Sequence, residues 1–190
     1  MTRKTFHSSL LIFIFMVFNG CFLFQPRGKQ YDPKDPTRST VYGYIDLKDA
    51  PTSLDWVLIK QFLPKPEQYW STKIIDNNIF VSVVIPKGSF QVYKFGGENL
   101  FTKIVYDFGT SGRNRTAIRI KKPGLIFVGA YKYQKVKTGF FEQDKFKMIH
   151  SKSPSEREIT KKLLKYFVEE DKVKYSRQIK MLKRRLRRLR

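Results

Sequence analysis

IFVSVVIPKGSFQV, residues 79–92, is the stretch that decides the fold. Its first half, residues 79–85, is almost wholly apolar, which is typical of a central β-strand covered on both faces. The three residues before it, Asp76-Asn77-Asn78, favour a turn into that strand. After it, Pro86-Lys87-Gly88 predicts a second turn, because Pro fixes φ and Gly tolerates positive φ. The stretch therefore predicts two successive strands joined by a Pro-Gly turn.

This turn and the strand that follows it carry a family resemblance. Residues 85–92, IPKGSFQV, resemble the LPPG-x-Y-x-V hairpin of carboxypeptidase-regulatory-like and other prealbumin-type β-sandwiches, with Lys87 at the second Pro and Phe90 at the Tyr. The resemblance covers residues 39–95, and the Gly43-Tyr44-Ile45 strand stands where such modules begin. It implies a β-sandwich.

Further short strands, separated by Pro and Gly turns, are predicted by apolar and polar residues that alternate with period 2. No helical pattern interrupts them, so we predict a mainly β protein: an antiparallel β-sandwich of seven or eight strands over residues 39–150 with a C-terminal helical extension over residues 153–190. We expect Gly96-Gly97 to end the fourth strand. The predicted strands are residues 39–47, 56–62, 79–85, 89–95, 100–108, 115–121, 125–134 and 141–149.

The character of the chain changes at Ser153-Pro154-Ser155-Glu156, which reads as a capping box with Pro at the first helical position. A helix is therefore predicted from there to about residue 170. Its apolar residues recur at helical spacing, so we expect one face to dock on the sandwich. That face consists of Ile159, Leu163, Tyr166 and Phe167.

The last segment, residues 172–190, is a strongly basic amphipathic helix, with no acidic residue in a chain whose net charge is +22. We expect it to bind an anionic surface, either phospholipid headgroups or the phosphates of an outer-membrane glycolipid, with its apolar stripe entering the interface. A short coiled-coil seam is the alternative. The stripe consists of Tyr175, Ile179, Leu182, Leu186 and Leu189. The expected anion-binding residues are Lys180, Lys183, Arg184, Arg185, Arg187, Arg188 and Arg190.

The N-terminus has the order of an export signal: a basic start, the apolar run LLIFIFMVF at residues 10–18, and then Asn19-Gly20-Cys21. This order resembles the lipobox of bacterial lipoproteins. The residues before Cys21 depart from the usual lipobox pattern, which is similar to what is found in spirochaete lipoproteins of uncharacterised function. The resemblance implies a signal peptide over residues 1–20, a diacylated Cys21 and a lipid-anchored tether over residues 21–38. Two alternatives stay open, namely an uncleaved apolar anchor over residues 10–24 and a secretory signal in which Cys21 is incidental.

The residues of the chain favour no catalytic chemistry, metal site or cofactor. The mature chain would hold one histidine, His150, and no thiol if Cys21 is acylated, which argues against a metal cluster or a catalytic triad. We therefore predict a non-enzymatic lipoprotein of the cell envelope, held in the outer membrane through acylated Cys21, with a binding or structural role. Its protein partner is not predicted. The first alternative is a nucleic-acid-binding protein acting through the basic C-terminal helix, and the second is an enzyme or inhibitor.

Four tyrosines stand in pairs two residues apart within predicted strands, so each pair lies on one strand face. The expected role is core packing. The alternative is an exposed aromatic surface that contacts sugar or protein. The four residues are Tyr42, Tyr44, Tyr131 and Tyr133.

Overall fold

The structure is a computed structural model that describes residues 31–98, 103–108, 116–136 and 145–189. Within these residues the protein is mainly β, as predicted, and its C-terminal part is helical. The described elements are β1 Ser39–Asp46, β2 Trp56–Leu63, β3 Gln68–Ser71, β4 Lys73–Ile75, β5 Ile79–Ile85, β6 Gly88–Glu98, β7 Lys103–Asp107, β8 Ile118–Ile120, β9 Leu125–Val136, β10 Lys145–His150, α1 Glu156–Asp171 and α2 Ser176–Arg188.

The described strands form two sheets, with a helical layer on one of them. Sheet 1 has the order β10-β9-β1-β5-β4, and sheet 2 has the order β3-β2-β6-β7, with β8 also paired to β6. One core lies between the sheets and contains Ile45 and Phe80 from sheet 1 and Val57 and Phe95 from sheet 2. A second core joins the opposite face of sheet 1 to α1 and α2. The layers are therefore helices, sheet 1 and sheet 2.

Strand β5 occupies the central position that its apolar sequence predicts. It lies between β1 and β4, with Phe80 in the core between the sheets and Ile79 and Val81 in the core beneath the helices. Asp76 and Asn77, in the turn before it, both have positive φ, which short polar residues tolerate best. The prediction of a strand covered on both faces is confirmed.

The prediction of a purely antiparallel sandwich is wrong for one pair of strands. β1 and β9 are parallel neighbours in sheet 1, with Thr40 opposite Leu125 and Asp46 opposite Lys132. A parallel pair needs a long crossover connection. Here the chain between them forms β2 and β3 of sheet 2, β4 and β5 of sheet 1, and β6 to β8 of sheet 2, a connection long enough for β9 to arrive in the same direction as β1.

The described residues contain ten strands, more than the seven or eight predicted. β3 and β4 were not expected, because they are only four and three residues long and follow the prolines Pro64 and Pro66. Gly96-Gly97 does not end the fourth strand; both glycines lie inside β6. There β6 is paired with β2 on one edge and β7 on the other, and a Cβ on Gly96 would overlap the carbonyl oxygen of Ile104.

The capping box of α1 lies two residues later than predicted. Ser155, not Ser153, is the N-cap, and its hydroxyl accepts from the backbone N–H of Glu158 at 3.3 Å while the Glu158 carboxylate accepts from the backbone N–H of Ser155 at 2.7 Å. Pro154 therefore precedes the helix. The carboxylate of Glu156, which the earlier box would have used, binds Arg185 instead.

Docking of the first helix is confirmed, since Ile159, Leu163 and Phe167 are buried against sheet 1 and Tyr166 is half-buried. The apolar stripe of α2 differs from the expectation. Its first three members, Tyr175, Ile179 and Leu182, are buried in the same core and so do not face a membrane.

Core packing is also confirmed for the paired tyrosines. Tyr42, Tyr131 and Tyr133 are buried, whereas Tyr44 is half-buried and packs against the core beneath the helices. The alternative of an exposed aromatic surface built from these four residues is wrong. His150 is exposed, as expected of a residue just before a helix.

Candidate functional site

The candidate site is the outward side of α2, and the packing of the inward side defines it. Gln178, Ile179 and Leu182 are buried, and Ile179 and Leu182 belong to the core with sheet 1 and α1. An α-helix has 3.6 residues per turn, so positions three and four apart share a side. With the apolar side fixed inward, the opposite side must face solvent.

From residue 180 onward, the residues that share that solvent-facing side at helical spacing are all cations. Lys180, Lys183, Arg184 and Arg187 follow the i, i+3, i+4, i+7 pattern, and Arg188 follows Arg184 by one turn. All five are exposed, and none has an acidic partner within 4.0 Å among the described residues. We call these five residues the cationic face. It contains five of the seven anion-binding residues predicted from the sequence.

Arg185, the sixth predicted residue, has a different role. Its guanidinium donates to both carboxylate oxygens of Glu156, at 2.7 and 3.0 Å. The Tyr42 hydroxyl donates to the same carboxylate at 3.1 Å and lies 3.0 Å from the Thr160 hydroxyl. Burial raises the pKa of Tyr42 well above its usual value, and the hydrogen bonds to Glu156 raise the pKa of Arg185. This cluster joins β1, α1 and α2 and fixes the rotation of α2, which turns the cationic face outward.

The segment before β1 is folded, although the sequence predicted an extended tether there. Residues 32–38 form two successive turns, in which the backbone N–H of Asp35 donates to the Asp32 carbonyl at 3.1 Å and that of Arg38 donates to the Asp35 carbonyl at 3.3 Å. Each turn begins with Asp-Pro. An Asp side chain accepts from the backbone two residues on, and Pro pre-sets φ, so the repeated pair is itself a turn signal.

This segment, which we call the N-terminal strap (residues 32–38), is bound to the start of α2. Arg177 donates from one guanidinium nitrogen to the carbonyls of Arg38 at 2.9 Å and Pro36 at 3.3 Å. Gln178 donates to the Pro33 carbonyl at 2.8 Å. Sequence reasoning missed both residues. The available signal was Gln178, an uncharged polar residue on the inward side of an otherwise basic helix.

A second cluster lies on the outer face of sheet 2, away from the helices. The Lys60 ammonium lies 5.2 Å from the ring centroids of both Phe62 and Tyr93 and 5.8 Å from that of Tyr69. Its charge is already paired, because Glu67 lies 2.7 Å away. Lys60 is therefore not a free cation of the kind found on α2.

The remaining predicted site residues, Cys21 and Arg190, lie outside the described residues, as do the signal peptide and the first part of the tether. In the described part of the chain, the helices are all too short or too polar to span a membrane. The same part holds no group of three His, Cys, Asp or Glu side chains placed to share a metal ion.

Comparisons with protein-family models, with curated proteins and with solved structures found no match to this chain. The resemblances to spirochaete lipoproteins and to prealbumin-type sandwiches therefore stay predictions. The function must be argued from the geometry of α2.

Proposed function

We propose that this protein is a non-enzymatic lipoprotein of the cell envelope, held in the outer membrane by acylated Cys21, that binds phosphate-bearing lipid or glycolipid through the cationic face. The order of residues 1–21 supports the anchor. The arrangement of α2 supports the binding.

The observation that carries the proposal is a row of five exposed cations with no acidic partner among the described residues, on a helix whose other side is part of the core. Lys180 with Arg184, Lys183 with Arg187, and Arg184 with Arg188 are like-charge pairs four residues apart, which repel each other. An anionic surface relieves that repulsion. Near such a surface, each Lys or Arg contributes about 1 kcal/mol of binding free energy.

The burial of Tyr175, Ile179 and Leu182 decides how α2 binds. A free amphipathic helix would insert its apolar stripe among the acyl chains. Here the first three residues of that stripe already pack on the domain, so we expect binding to be mainly electrostatic and to weaken steeply as salt is added.

Acylation is tested by metabolic labelling with a fatty acid. We expect label on the wild-type protein and none on Cys21→Ala, because acyl attachment needs the sulfur. Equal labelling of the two proteins, or labelling of neither, would contradict the anchor.

Anion binding is tested on beads coated with phosphatidylcholine alone or with added phosphatidylglycerol, using the full-length chain with Cys21→Ala. We expect extra retention on the anionic beads, lost in the triple variant Lys180→Gln, Lys183→Gln, Arg187→Gln. A matched control removes the same charge from exposed residues of the β domain: Lys87→Gln, Lys121→Gln, Lys122→Gln.

Equal losses in the triple variant and its control would show that net charge matters and the cationic face does not. A short oligonucleotide that displaces the protein from anionic beads, at a phosphate concentration below that of the lipid on the beads, would favour the nucleic-acid alternative instead.

A further inference from the structure

The N-terminal strap fixes where the anchored end of the chain meets the folded domain. Its carbonyls at Pro33, Pro36 and Arg38 are held by Arg177 and Gln178, in the first turn of α2. Whatever holds the N-terminus of the chain is therefore connected to the domain at the start of α2, the helix that carries the cationic face.

Covalent geometry limits the distance between that attachment and a membrane. Ten residues, 22–31, separate Cys21 from the strap. A chain of that length spans at most about 33–36 Å when fully extended. Helix α2 has 13 residues and is therefore roughly 20 Å long. The whole cationic face thus lies within the reach of the tether, and an anchor over residues 10–24 would bring the domain closer still.

We propose that the cationic face binds the anionic headgroups of the same membrane leaflet that the N-terminal anchor enters, with the strap holding the two contacts in register. This inference rests on the proposed function. Of the anionic surfaces that the proposed function allows, it selects one, the membrane leaflet that holds the anchor. One end of the chain supplies an apolar attachment and α2 supplies an electrostatic one. The anchor strengthens the weaker electrostatic attachment, because the second contact on an anchored molecule forms at a high effective concentration.

Charge complementarity and packing both favour this orientation over a distant partner. The helices cover the face of sheet 1 opposite sheet 2, so a membrane beneath α2 leaves the Lys60 and Tyr93 cluster on the far side of the domain. In α1, the layer beside α2, Glu156 is paired with Arg185, Glu169 with Lys165 and Glu170 with Lys73. These pairs reduce the repulsion that α1 offers to an anionic surface. Its other two acidic residues, Glu158 and Asp171, are exposed and accept hydrogen bonds from backbone N–H groups at the helix ends.

The test is lysine footprinting of the full-length protein anchored at low density in vesicles. A membrane-impermeant amine-acylating reagent is applied, and the modified lysines are quantified by mass spectrometry. On phosphatidylcholine vesicles with added phosphatidylglycerol, we expect Lys180 and Lys183 to be protected relative to pure phosphatidylcholine. Lys87, Lys121 and Lys122 are the internal controls and should react equally on both.

Two changes test the role of the strap. Insertion of twenty Gly/Ser residues after Tyr31 triples the tether length, which should cut the ratio of bound to free α2 about fivefold, since effective concentration falls as the −3/2 power of length. Arg177→Lys with Gln178→Ala keeps the charge but loses the bonds to the strap, and should also reduce the protection. Arg157→Lys, which changes an exposed arginine of α1, should leave the protection unchanged.

Unprotected Lys180 and Lys183 on the protein's own anionic vesicle, together with protection when separate anionic vesicles are added, would overturn this inference and leave the proposed function standing. Lysines that react fully in both settings would overturn both. Protection that is insensitive to the inserted linker and to the strap variant would show that the strap plays no part.

Discussion

The Arg185 guanidinium spans both carboxylate oxygens of Glu156, at 2.7 and 3.0 Å, and so ties the last turn of α2 to the first residue of α1. The same carboxylate accepts the hydroxyl of Tyr42 from sheet 1. One acidic side chain therefore joins all three elements. It reinforces the orientation of α2 that the burial of Ile179 and Leu182 sets.

Replacing Arg185 should loosen that joint. We expect Arg185→Gln to lower the free energy of unfolding by about 1.5–3 kcal/mol, the usual range for hydrogen bonds to a charged group, and toward its lower end because the Arg185 side chain is 40% exposed. Urea unfolding followed by circular dichroism measures it. Arg184→Gln, on the neighbouring exposed position, should stay within about 0.5 kcal/mol of wild type. Equal effects of the two changes would contradict the structural role of Arg185.

The core beneath the helices should be sensitive to the loss of a single side chain. Leu163 is fully buried there, so Leu163→Ala should cost about 2–5 kcal/mol of unfolding free energy by leaving a cavity. Val168→Ala is the matched control on the same helix, because Val168 is 41% exposed. Thermal melts of both variants measure the difference, and similar melting temperatures would argue that α1 is not docked.

Gly96, inside β6, should not tolerate even a methyl group. A Cβ at Gly96 would overlap the Ile104 carbonyl oxygen, so Gly96→Ala must push β7 away and should cost about 1–3 kcal/mol. Gly124→Ala is the control, since no heavy atom lies within 4 Å of its Cβ position. Chemical denaturation of the two variants provides the measurement, and a Gly96→Ala protein as stable as Gly124→Ala would show that the strands are not so closely spaced.

The capping box of α1 should make stability depend on pH. Hydrogen bonds from the backbone and hydroxyl of Ser155 hold the pKa of Glu158 below its ordinary value. A lowered pKa means that the folded state favours the ionised form, so this stabilisation is fully present above the ordinary glutamate pKa and is lost as the pH falls through the lowered value.

We therefore expect the stability advantage of wild type over Glu158→Ala to shrink on acidification, as measured by denaturation at a series of pH values. Glu158→Gln keeps the hydrogen bond without titrating, so its advantage over Glu158→Ala should not shrink in this way. Identical pH profiles for wild type and Glu158→Gln would rule out the mechanism.

Local composition by itself determined the mainly β class, the central position of residues 79–85, the docked face of α1 and the positions of the exposed cations. These features follow from periodicity and from the preference of apolar residues for the interior, both of which are written along the chain. The Asp-Pro turns of the strap were also readable in the sequence, and the prediction of a tether overlooked them.

Only the tertiary structure decided the features that depend on residues far apart in the chain. Strand order and the parallel pairing of β1 with β9 are set by which strands meet in space, and no local pattern encodes that. Glu156 and Glu158 both fit a capping box in the sequence; in the structure Glu158 closes the box, and the carboxylate of Glu156 binds Arg185, 29 residues away. The apolar stripe of α2 looked like a membrane-binding surface because helical spacing shows only that a helix has an apolar side. The fold shows that Tyr175, Ile179 and Leu182, the first three residues of that stripe, are already buried in a core with sheet 1 and α1.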